Sequence, residues 1–485
     1  MAVLVWICVL TAVLCFAAIR TFYRKRRKGE PEIVKGSILF GSAIDFNQHA
    51  VSFLHKCRDE YGDVFTIRLV NQYLTVIMDP HAYETVSKTK TFDFDAIQRQ
   101  VNWNVFSFVL KDARKMIKET GRTVRGNYLN KGIANFQNNL LSCCENAFTD
   151  EPGNWSDMGL RTFASKTAFG AIFDTVFGRS ADHPFNSTSV YKNFETYHRY
   201  FNFLWLGFPR KLFPAACKAL EGLLVAPSSN QLLHREDCSD YIKFACRHML
   251  ERGQNEAEIL GHNLVYLHVN YNTFRLIFWA LNNLLEYPDA RKAVENELKQ
   301  AIEDKLEEPE NQARFTVKEV ESFPVLDSFV QESFRMASGV FMVRYVTEDT
   351  EFQTHDGKSY LIRKGDRVAI YPPAIHKDPK IFTEPLEFQY DRFHRNGQKV
   401  TFYKDGDELK HPVMPFGTIC PGQRYATIQI KWYLMTVLNM FDMELYDGEH
   451  AEYDYQYHGH EILPPSHDVN CKFLRREQFT KLILE

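Results

Sequence analysis

The 485-residue sequence lacks internal repeats, coiled-coil heptads and low-complexity tracts, which excludes repeat and fibrous architectures. Its net charge of −3 provides no general attraction to nucleic acid. None of its ten cysteines forms a CxxC pair of the metal-binding type, and scattered cysteines in a chain this large indicate reduced thiols facing the cytosol. Apolar residues are abundant instead, at 45%, and are sufficient for a substantial core.

The first residues predict a membrane anchor. Residues 2–19 are an almost unbroken apolar run, and Arg20 and the basic cluster at 24–28 follow it. Such a run spans about 27 Å as a helix, which is close to the hydrocarbon thickness of a bilayer. No small-residue cleavage site precedes the charges, so an uncleaved anchor is favoured over a secretory peptide. The sequence therefore predicts a transmembrane signal anchor over 1–22, a basic linker over 23–36 and a cytosolic domain over 37–485.

The rest of the pattern predicts a mostly helical domain with small sheets. Residues 64–70 and 73–78 read as two strands of a hairpin, and residues 343–370 return to strands. Between them, residues 110–335 have mainly helical periodicity. No clear linker divides the chain after the anchor. The sequence therefore predicts one α+β domain.

Cys420 has the surroundings of a metal-ligating thiolate. It lies in a turn rich in Pro and Gly, within residues 414–422, and an apolar helical pattern follows from Tyr425 to Met440. Free backbone N–H groups and the dipole at a helix N-terminus lower the pKa of a thiol and favour its ligation to a metal. A buried thiol without a metal is the alternative.

Two further features precede this turn. Glu332 and Arg335 are three residues apart, which places an acid and a base on one face of a predicted helix. Alone, such a pair is usually an ordinary surface ion pair. Arg392 lies in an irregular stretch, and Cys420 follows it by 28 residues. This ordered set resembles the cytochrome P-450 family of haem-thiolate monooxygenases.

The resemblance implies a role for each matching residue. In that family the ExxR pair and the later arginine lock the region that carries the ligand, and a further arginine binds a haem propionate. The axial thiolate pushes electron density onto the iron. The residues implied to support or contact haem b are Glu332, Arg335, Arg392, Arg344, Phe416, Cys420 and Gly422.

The resemblance is closer to one branch of the family. Segments such as 62–67, 324–328 and 463–469 look like the branch that contains cholesterol 7α-hydroxylase, sterol 12α-hydroxylase and prostacyclin synthase. The similarity extends from the anchor to the last strand. It is strongest after residue 320 and weak between about 90 and 255.

The ligand loop departs from the family pattern. That pattern is F-x-x-G-x-x-x-C-x-G, whereas Phe416 precedes Cys420 by only four residues, so the loop is three residues short. Either the loop takes a tighter path or the haem is held differently.

The helix before Glu332 departs as well. Most of the family has an acid–Thr pair there, whereas this chain has Asn272 and Thr273, followed by Phe274 and Arg275. Asn272 and Thr273 are the implied catalytic residues. Arg275 is expected on a helix surface, because a buried cation would need a partner such as a haem propionate or an acidic substrate. His268, one turn before Asn272, is expected to be structural.

The resemblance implies an enzyme of the endoplasmic-reticulum membrane. It would use O2 and electrons from NADPH–cytochrome reductase to hydroxylate a sterol or related lipid. Two alternatives stay open: a prostacyclin-synthase-like endoperoxide isomerase, and an anchored lipid-binding relative without haem chemistry. The candidate substrate contacts, inferred from topology, are Phe341, Met342, Ile462 and Leu463.

Overall fold

The computed structural model describes residues 24–179, 185–417, 420–457 and 461–485. The predicted anchor over 1–22 lies outside the described residues. Within the described ranges, no helix is both long and apolar enough to cross a bilayer.

The chain forms two compact units that alternate along the sequence. The smaller unit comprises the chain up to Ile97 together with Val340–Pro385 and Phe402–Met414. The larger unit comprises Gln98–Gly339, Leu386–Thr401 and Pro415–Glu485. The prediction of one domain over 37–485 stays a prediction.

The smaller unit is built around a six-stranded sheet. The predicted hairpin is present: Val64–Leu69 pairs antiparallel with Gln72–Ile77, and both strands are rich in the β-branched residues that fit a buried sheet. The spatial order of the strands is Glu32–Ile33, Val64–Leu69, Gln72–Ile77, Arg367–Ile370, Met342–Val346 and Phe92–Asp93.

The remaining elements of the smaller unit surround this sheet. A hairpin joins Thr350–Gln353 to Ser359–Ile362 through a turn in which Gly357 adopts a φ of 82°. A shorter hairpin pairs Tyr403–Lys404 with Asp407–Glu408. The helices are Ala43–Tyr61, Tyr83–Lys88 and Pro372–His376, with a 3₁₀ turn at Pro80–Ala82.

The larger unit is mostly helical, as the sequence predicts. Phe94–Asn104 carries the chain into it. Its other helices are Ala113–Arg122, Gly126–Glu145, Leu160–Ala164, a π turn at Ser165–Phe169, Gly170–Phe177, Ser187–His198, Phe201–Trp205, a 3₁₀ turn at Arg210–Leu212, Pro214–Leu223, Ser229–His234, Asp240–Glu251, Glu256–Glu286, Pro288–Glu303, Val317–Ser322, Pro324–Ala337, Gln423–Met440 and a 3₁₀ turn at Tyr455–Tyr457.

Small sheets accompany these helices, and two of their strand regions, near residues 155 and 312, lie within the stretch predicted to be mainly helical. Trp155–Gly159 pairs with Asn470–Arg475, which also pairs with Phe441–Leu445. A second sheet contains Leu306–Glu307, Gln312–Phe315 and Lys481–Leu484, and a two-stranded ladder joins His394–Arg395 to Gln398–Lys399. Two of these strand regions find partners near the C-terminus, so local periodicity did not reveal them.

The helix Glu256–Glu286, called the long helix below, positions the site. Its 31 residues begin at a capping box in which Asn255 accepts from Glu258 N and Glu258 caps Asn255 N. Most of its side chains are buried, over almost every face. A helix enclosed in this way must pair its polar side chains internally, because unpaired buried polar groups are costly.

Candidate functional site

Glu332 and the two predicted arginines form a buried ion-pair cluster in the larger unit. Glu332 lies on the helix Pro324–Ala337, called the ExxR helix below, and has no exposed surface. Arg335 donates to both of its carboxylate oxygens, at 2.7 and 2.8 Å. Arg392 Nε and Gln389 N donate to Glu332 Oε1, each at 3.0 Å. The carboxylate thus receives four hydrogen bonds, a number that compensates its burial.

The cluster fastens the irregular segment 387–394 to the ExxR helix. The carbonyl of Glu387 accepts from Arg335 Nη2 at 3.1 Å and from Arg392 Nη2 at 3.0 Å. Ser328 Oγ accepts from the backbone N–H groups of Phe393 and His394 at 3.0 and 3.2 Å. Backbone without regular structure is therefore held by side chains of one helix.

Cys420 is solvent-exposed, unlike most cysteines of the described ranges. It lies two residues before Gly422, the N-cap of the helix Gln423–Met440, called the ligand helix below. Backbone N–H groups of Gly422 and Gln423 act to lower the thiol pKa, as predicted. Desolvation outweighs them and raises it, and the Glu461 charge adds to this rise. The expected net lowering is therefore wrong.

The short loop before Cys420 is anchored on the ExxR helix. The ring of Phe416 packs against Phe334, with ring centroids 4.8 Å apart. Gly417 then adopts a φ of 59°, a left-handed conformation that glycine reaches without strain. This bend immediately precedes residues 418–419, which lie outside the described ranges. Packing against Phe334 therefore fixes the position of Phe416, which precedes Cys420 by four residues.

All eight cysteines of the described ranges are free thiols, as predicted. Burial raises the pKa of Cys57, Cys143 and Cys238 to about 12, which makes these thiols unreactive. Cys420 is the exposed member of the set. Accessibility therefore separates it from the cysteines that fill the core.

The smaller unit contains the predicted propionate arginine. Arg344 lies on the strand Met342–Val346, is 4% exposed and stacks over Phe94 at 4.6 Å. Desolvation lowers its pKa to about 10, and the proximity of Tyr83 opposes that shift. A desolvated guanidinium is stabilised by an anion, which is the chemistry of a carboxylate ligand. Its grouping with Cys420 stays a prediction.

Phe341 and Met342 precede Arg344 in the same unit. The Phe341 ring lies 5.5 Å from Phe46 and 5.4 Å from Tyr371, centroid to centroid. Met342 is 5% exposed. Both side chains are therefore packed in an aromatic and apolar setting, and their role as substrate contacts stays a prediction.

His376 has a structural role in the smaller unit. It accepts from the backbone N–H of Met414 at 2.9 Å through Nε2 and is fully buried. Two residues later, Asp378 pairs with Arg58 inside the same unit. The His376 contact holds the chain at Met414, the first residue of the stretch 414–422.

One stripe of the long helix faces residues 461–463, called the 461–463 segment below. Asn272 Nδ2 donates to Glu461 Oε2 at 3.1 Å, and Trp279 Nε1 donates to the Leu463 carbonyl at 2.7 Å. His268 Nε2 lies 3.5 Å from Glu461 Oε1. Spacings of three or four residues place these side chains, together with Arg275, on one helical face.

The opposite side of the segment is tied to the C-terminal end of the ExxR helix. The Glu461 carbonyl accepts from Gly339 N at 3.0 Å, and Leu463 N donates to the Ala337 carbonyl at 2.9 Å. Ile462 and Leu463 are each 2% exposed. The two predicted substrate residues are therefore held from both sides, with their side chains buried.

Arg275 is buried, contrary to the expected surface position. It is 4% exposed, and it donates to the Ile462 carbonyl at 3.1 Å and to His198 Nδ1 at 3.2 Å. Its guanidinium also lies over the rings of Tyr271 and Tyr457, at 4.8 and 5.6 Å. Desolvation lowers its pKa, and the two tyrosines oppose this shift. The long helix is enclosed on this side, so no surface was available.

Phe274, the bulky neighbour of Arg275, belongs to an aromatic cluster. Its ring centroid lies 5.2 Å from Tyr271, 5.5 Å from Tyr191 and 5.8 Å from Phe169. These spacings are typical of stabilising aromatic pairs. Phe274 therefore contributes to the core of the larger unit.

Sequence reasoning missed Glu461 and His198 as members of this polar stripe. Both come from segments far from the long helix along the chain, and nothing local marks them. The available signal was the set of polar residues His268, Asn272 and Arg275 within a strongly apolar helix. Buried polar residues require polar partners, and these partners can be identified only from the tertiary structure.

The larger unit thus contains an accessible cysteine just before a helix N-terminus and a buried ExxR–Arg cluster, the features that a haem-thiolate protein requires. A sequence profile of the cytochrome P450 family matches residues 31–230 and 272–469. The chain belongs to the cytochrome P450 family.

Curated relatives resemble the chain over almost its full length. It is 30% identical to cholesterol 7-alpha-monooxygenase of Cricetulus griseus, over 97% of this chain and 98% of that protein. It is 29% identical to human 7-alpha-hydroxycholest-4-en-3-one 12-alpha-hydroxylase, over 93% and 94%. It is 31% identical to human prostacyclin synthase, over 92% and 94%. The resemblance predicted from the sequence is confirmed.

Haem is the cofactor of this family, and the residues present fit it. Cys420 offers an accessible sulfur with two backbone N–H groups directed at it, the donor set of a thiolate ligand. Phe416 is packed on the helix that carries Glu332 and Arg335. The chain is therefore an oxidoreductase that uses haem iron, which argues against a lipid-binding relative without haem chemistry.

Replacing Arg275 by Met tests its buried contacts. We expect a loss of about 1–3 kcal/mol in the free energy of unfolding, because His198 Nδ1 and the Ile462 carbonyl lose a buried donor. Denaturant titration followed by circular dichroism measures it. Arg247→Met is the matched control, since Arg247 is exposed on another helix and its loss should change stability by less than about 0.5 kcal/mol. Equal stability of the two variants would contradict a stabilising role for these contacts.

Proposed function

We propose that the protein is a haem-thiolate monooxygenase that hydroxylates a sterol or a related rigid lipid with O2 and electrons from a flavoprotein reductase. The observation that carries this proposal is the polar cluster on the long helix. Asn272 donates to the Glu461 carboxylate, and His268 lies beside that carboxylate. Reduction of O2 consumes protons, so a monooxygenase needs such groups, whereas an internal rearrangement of an endoperoxide does not.

The bound haem supplies oxygen activation, and thiolate ligation favours cleavage of the O–O bond. The chain's own residues hold the thiolate and handle protons. Cys420 would provide the sulfur, and the buried cluster of Glu332 keeps the backbone at residues 387–392 in place. Thr273, which is 6% exposed, follows Asn272 on the long helix and offers a hydroxyl that both accepts and donates.

The proposed substrate class rests on the relatives and on the apolar residues. Two of the relatives carry names that describe hydroxylation of cholesterol or a cholestenone. Ile462 and Leu463 are buried against the long helix, and Phe341 lies in an aromatic setting. A rigid apolar ring system suits such surfaces better than a charged metabolite does.

The proposed location is the endoplasmic-reticulum membrane, with the catalytic domain in the cytosol. The support is the apolar run over residues 2–19 and the basic cluster that follows it. An apolar substrate that partitions into a bilayer would then reach the enzyme from the membrane. NADPH–cytochrome reductase is the proposed electron donor at that membrane.

A second candidate is a prostacyclin-synthase-like endoperoxide isomerase. Two observations favour it: the chain has Asn272 in place of an acid on the long helix, and it is 31% identical to human prostacyclin synthase. Such an isomerase needs neither O2 nor reductase. The cofactor requirement of turnover therefore separates the two candidates.

Turnover assays with cholesterol, 7-alpha-hydroxycholest-4-en-3-one and a prostaglandin endoperoxide test the proposal. We expect a hydroxylated sterol only when NADPH and reductase are both present. Product from the endoperoxide without NADPH, together with no sterol product, would favour the isomerase and contradict the proposal.

Asn272→Ala should lower sterol turnover by about 100-fold, the lower end of the contribution of positioned proton-transfer groups. Product formation per haem, measured by mass spectrometry, reports this effect. Asn270→Ala is the matched control on the same helix, because Asn270 bonds the Tyr266 carbonyl and Tyr241 instead of Glu461. Equal losses in both variants would indicate a general effect on the helix.

A further inference from the structure

Arg275, His198, His268 and Glu461 form one continuous polar chain inside the larger unit. Arg275 Nη2 lies 3.2 Å from His198 Nδ1, and His198 Nε2 lies 3.1 Å from His268 Nδ1. His268 Nε2 is 3.5 Å from Glu461 Oε1. The cation and both imidazoles are at most 7% exposed. This polar chain thus connects the buried Arg275 cation to the Glu461 carboxylate. The two imidazole rings between them are stacked, with centroids 5.1 Å apart.

Because the first member of this polar chain is an arginine, all of its hydrogen bonds are donated in one direction. An arginine side chain has donors only, so His198 Nδ1 accepts and the proton of that neutral ring is on Nε2. His198 Nε2 then donates to His268 Nδ1, which leaves the proton of His268 on Nε2, facing Glu461. Every link therefore donates toward Glu461, and the carboxylate is the terminal acceptor.

A second donor orients the same carboxylate. Asn272 Nδ2 binds Glu461 Oε2, so both oxygens face groups of the long helix. The backbone of Glu461 is held by Gly339 N, and the next carbonyl by Arg275. These contacts fix the side chain and the main chain together. The preorganised carboxylate lies beside the residue pair in which the sequence showed no acid.

The Glu461 carboxylate is the most accessible member of this polar chain. Its side chain is 40% exposed, whereas the His268 side chain is buried. Glu461 is therefore the member of the chain that can exchange protons with water.

We propose that Glu461 is the acid that handles protons beside Asn272 and Thr273, and that Arg275, His198 and His268 are positioning residues for it. The acid that is absent from the Asn272–Thr273 pair is thus supplied by the 461–463 segment. Hydroxylation of a C–H bond by O2 consumes protons together with the electrons of the reductase and releases water. Each proton that the Glu461 carboxyl gives up is replaced from water, so the residue is unchanged after a cycle. The inference rests on the proposed monooxygenase function.

Glu461→Gln tests the role with a near-isosteric side chain. The expected variant keeps the thiolate-type Soret band of the reduced, carbon-monoxide-bound protein. The C–O stretching frequency, read by infrared spectroscopy, should move to a lower wavenumber. A negative charge near bound carbon monoxide opposes the flow of electron density into the C–O antibonding orbital. Because the variant removes that charge, the C–O bond weakens and its stretching frequency falls. This readout needs no turnover.

Turnover of the same variant supplies the second readout. We expect sterol product to fall by about 100-fold, with the NADPH electrons appearing as hydrogen peroxide. Glu461→Asp, which restores the carboxyl group, should recover part of the coupling between NADPH use and product. Glu452→Gln is the matched control, because Glu452 is an exposed acid on the same C-terminal stretch. It should leave frequency and coupling unchanged.

Several results would overturn the proposal. An unchanged C–O frequency in Glu461→Gln would show that the carboxylate does not face the site. A shifted frequency with unchanged coupling would show that it faces the site without handling protons. Loss of the Soret band in both Glu461→Gln and Glu461→Asp would assign it a structural role. Sterol hydroxylation that fails in the unchanged chain would instead overturn the proposed function, which keeps the two failures distinguishable.

Discussion

A Cys420→Ser chain, purified beside the unchanged chain, is expected to show no red-shifted Soret band after reduction and exposure to carbon monoxide. That band requires a thiolate on the iron, and a serine hydroxyl stays protonated and binds iron weakly. We also expect product formation to fall below detection. The absorption difference spectrum measures the first effect, and a turnover assay measures the second.

The matched control for this variant is Cys217→Ser. Cys217 is a partly buried free thiol whose sulfur donates to the Arg210 carbonyl at 3.4 Å, and serine can make a similar contact. The control should keep the full band and its haem content. If Cys420→Ser retained the band, another group would hold the iron, and the assignment of Cys420 as ligand would be wrong.

Glu332→Gln is expected to reduce the free energy of unfolding by about 3–5 kcal/mol, the cost of removing one partner from a buried ion pair. Glu332 and Arg335 have no exposed surface, and Arg392 is 5% exposed. The variant leaves two buried guanidinium groups without their anion. Because these arginines also hold the Glu387 carbonyl, we expect the purified variant to lose most of its haem.

The ion pair between Glu119 and Arg122 is the control for the three-residue spacing of Glu332 and Arg335. Glu119 and Arg122 are also three residues apart and form an ion pair at 2.6 Å, but Arg122 is 61% exposed. Glu119→Gln should therefore change stability by less than about 1 kcal/mol. Denaturant titration of both variants, with haem content from the absorption spectrum, separates the effects. A loss from Glu332→Gln no larger than that of the control would contradict the locking role.

The sequence predicted elements well where the signal was local. The hairpin at residues 64–78 and the helix that follows Cys420 are both present. Each depends on the alternation or the apolar period of a short stretch. The strands near residues 155 and 312 were missed, because their partners are near the C-terminus.

Arg275 shows the same limit within the site. Most arginines lie on surfaces, so a helical arginine was expected there. The structure buries it because the long helix is enclosed on that face, and His198 and the Ile462 carbonyl compensate its burial. Neither partner is adjacent in sequence, and no helical period could indicate them.

The sequence by itself determined the family and the spacing of the Glu332 and Arg335 pair, and it predicts Cys420 as the thiolate ligand. These depend on the identity and order of residues along the chain, which a sequence states directly. Only the tertiary structure decided that Arg275 is buried and that the acid beside Asn272 comes from Glu461. The physical reason is that a buried polar group requires a hydrogen-bond partner that is close in space, not in sequence. Asn272 and Glu461 form such a contact, although they are almost 190 positions apart along the chain.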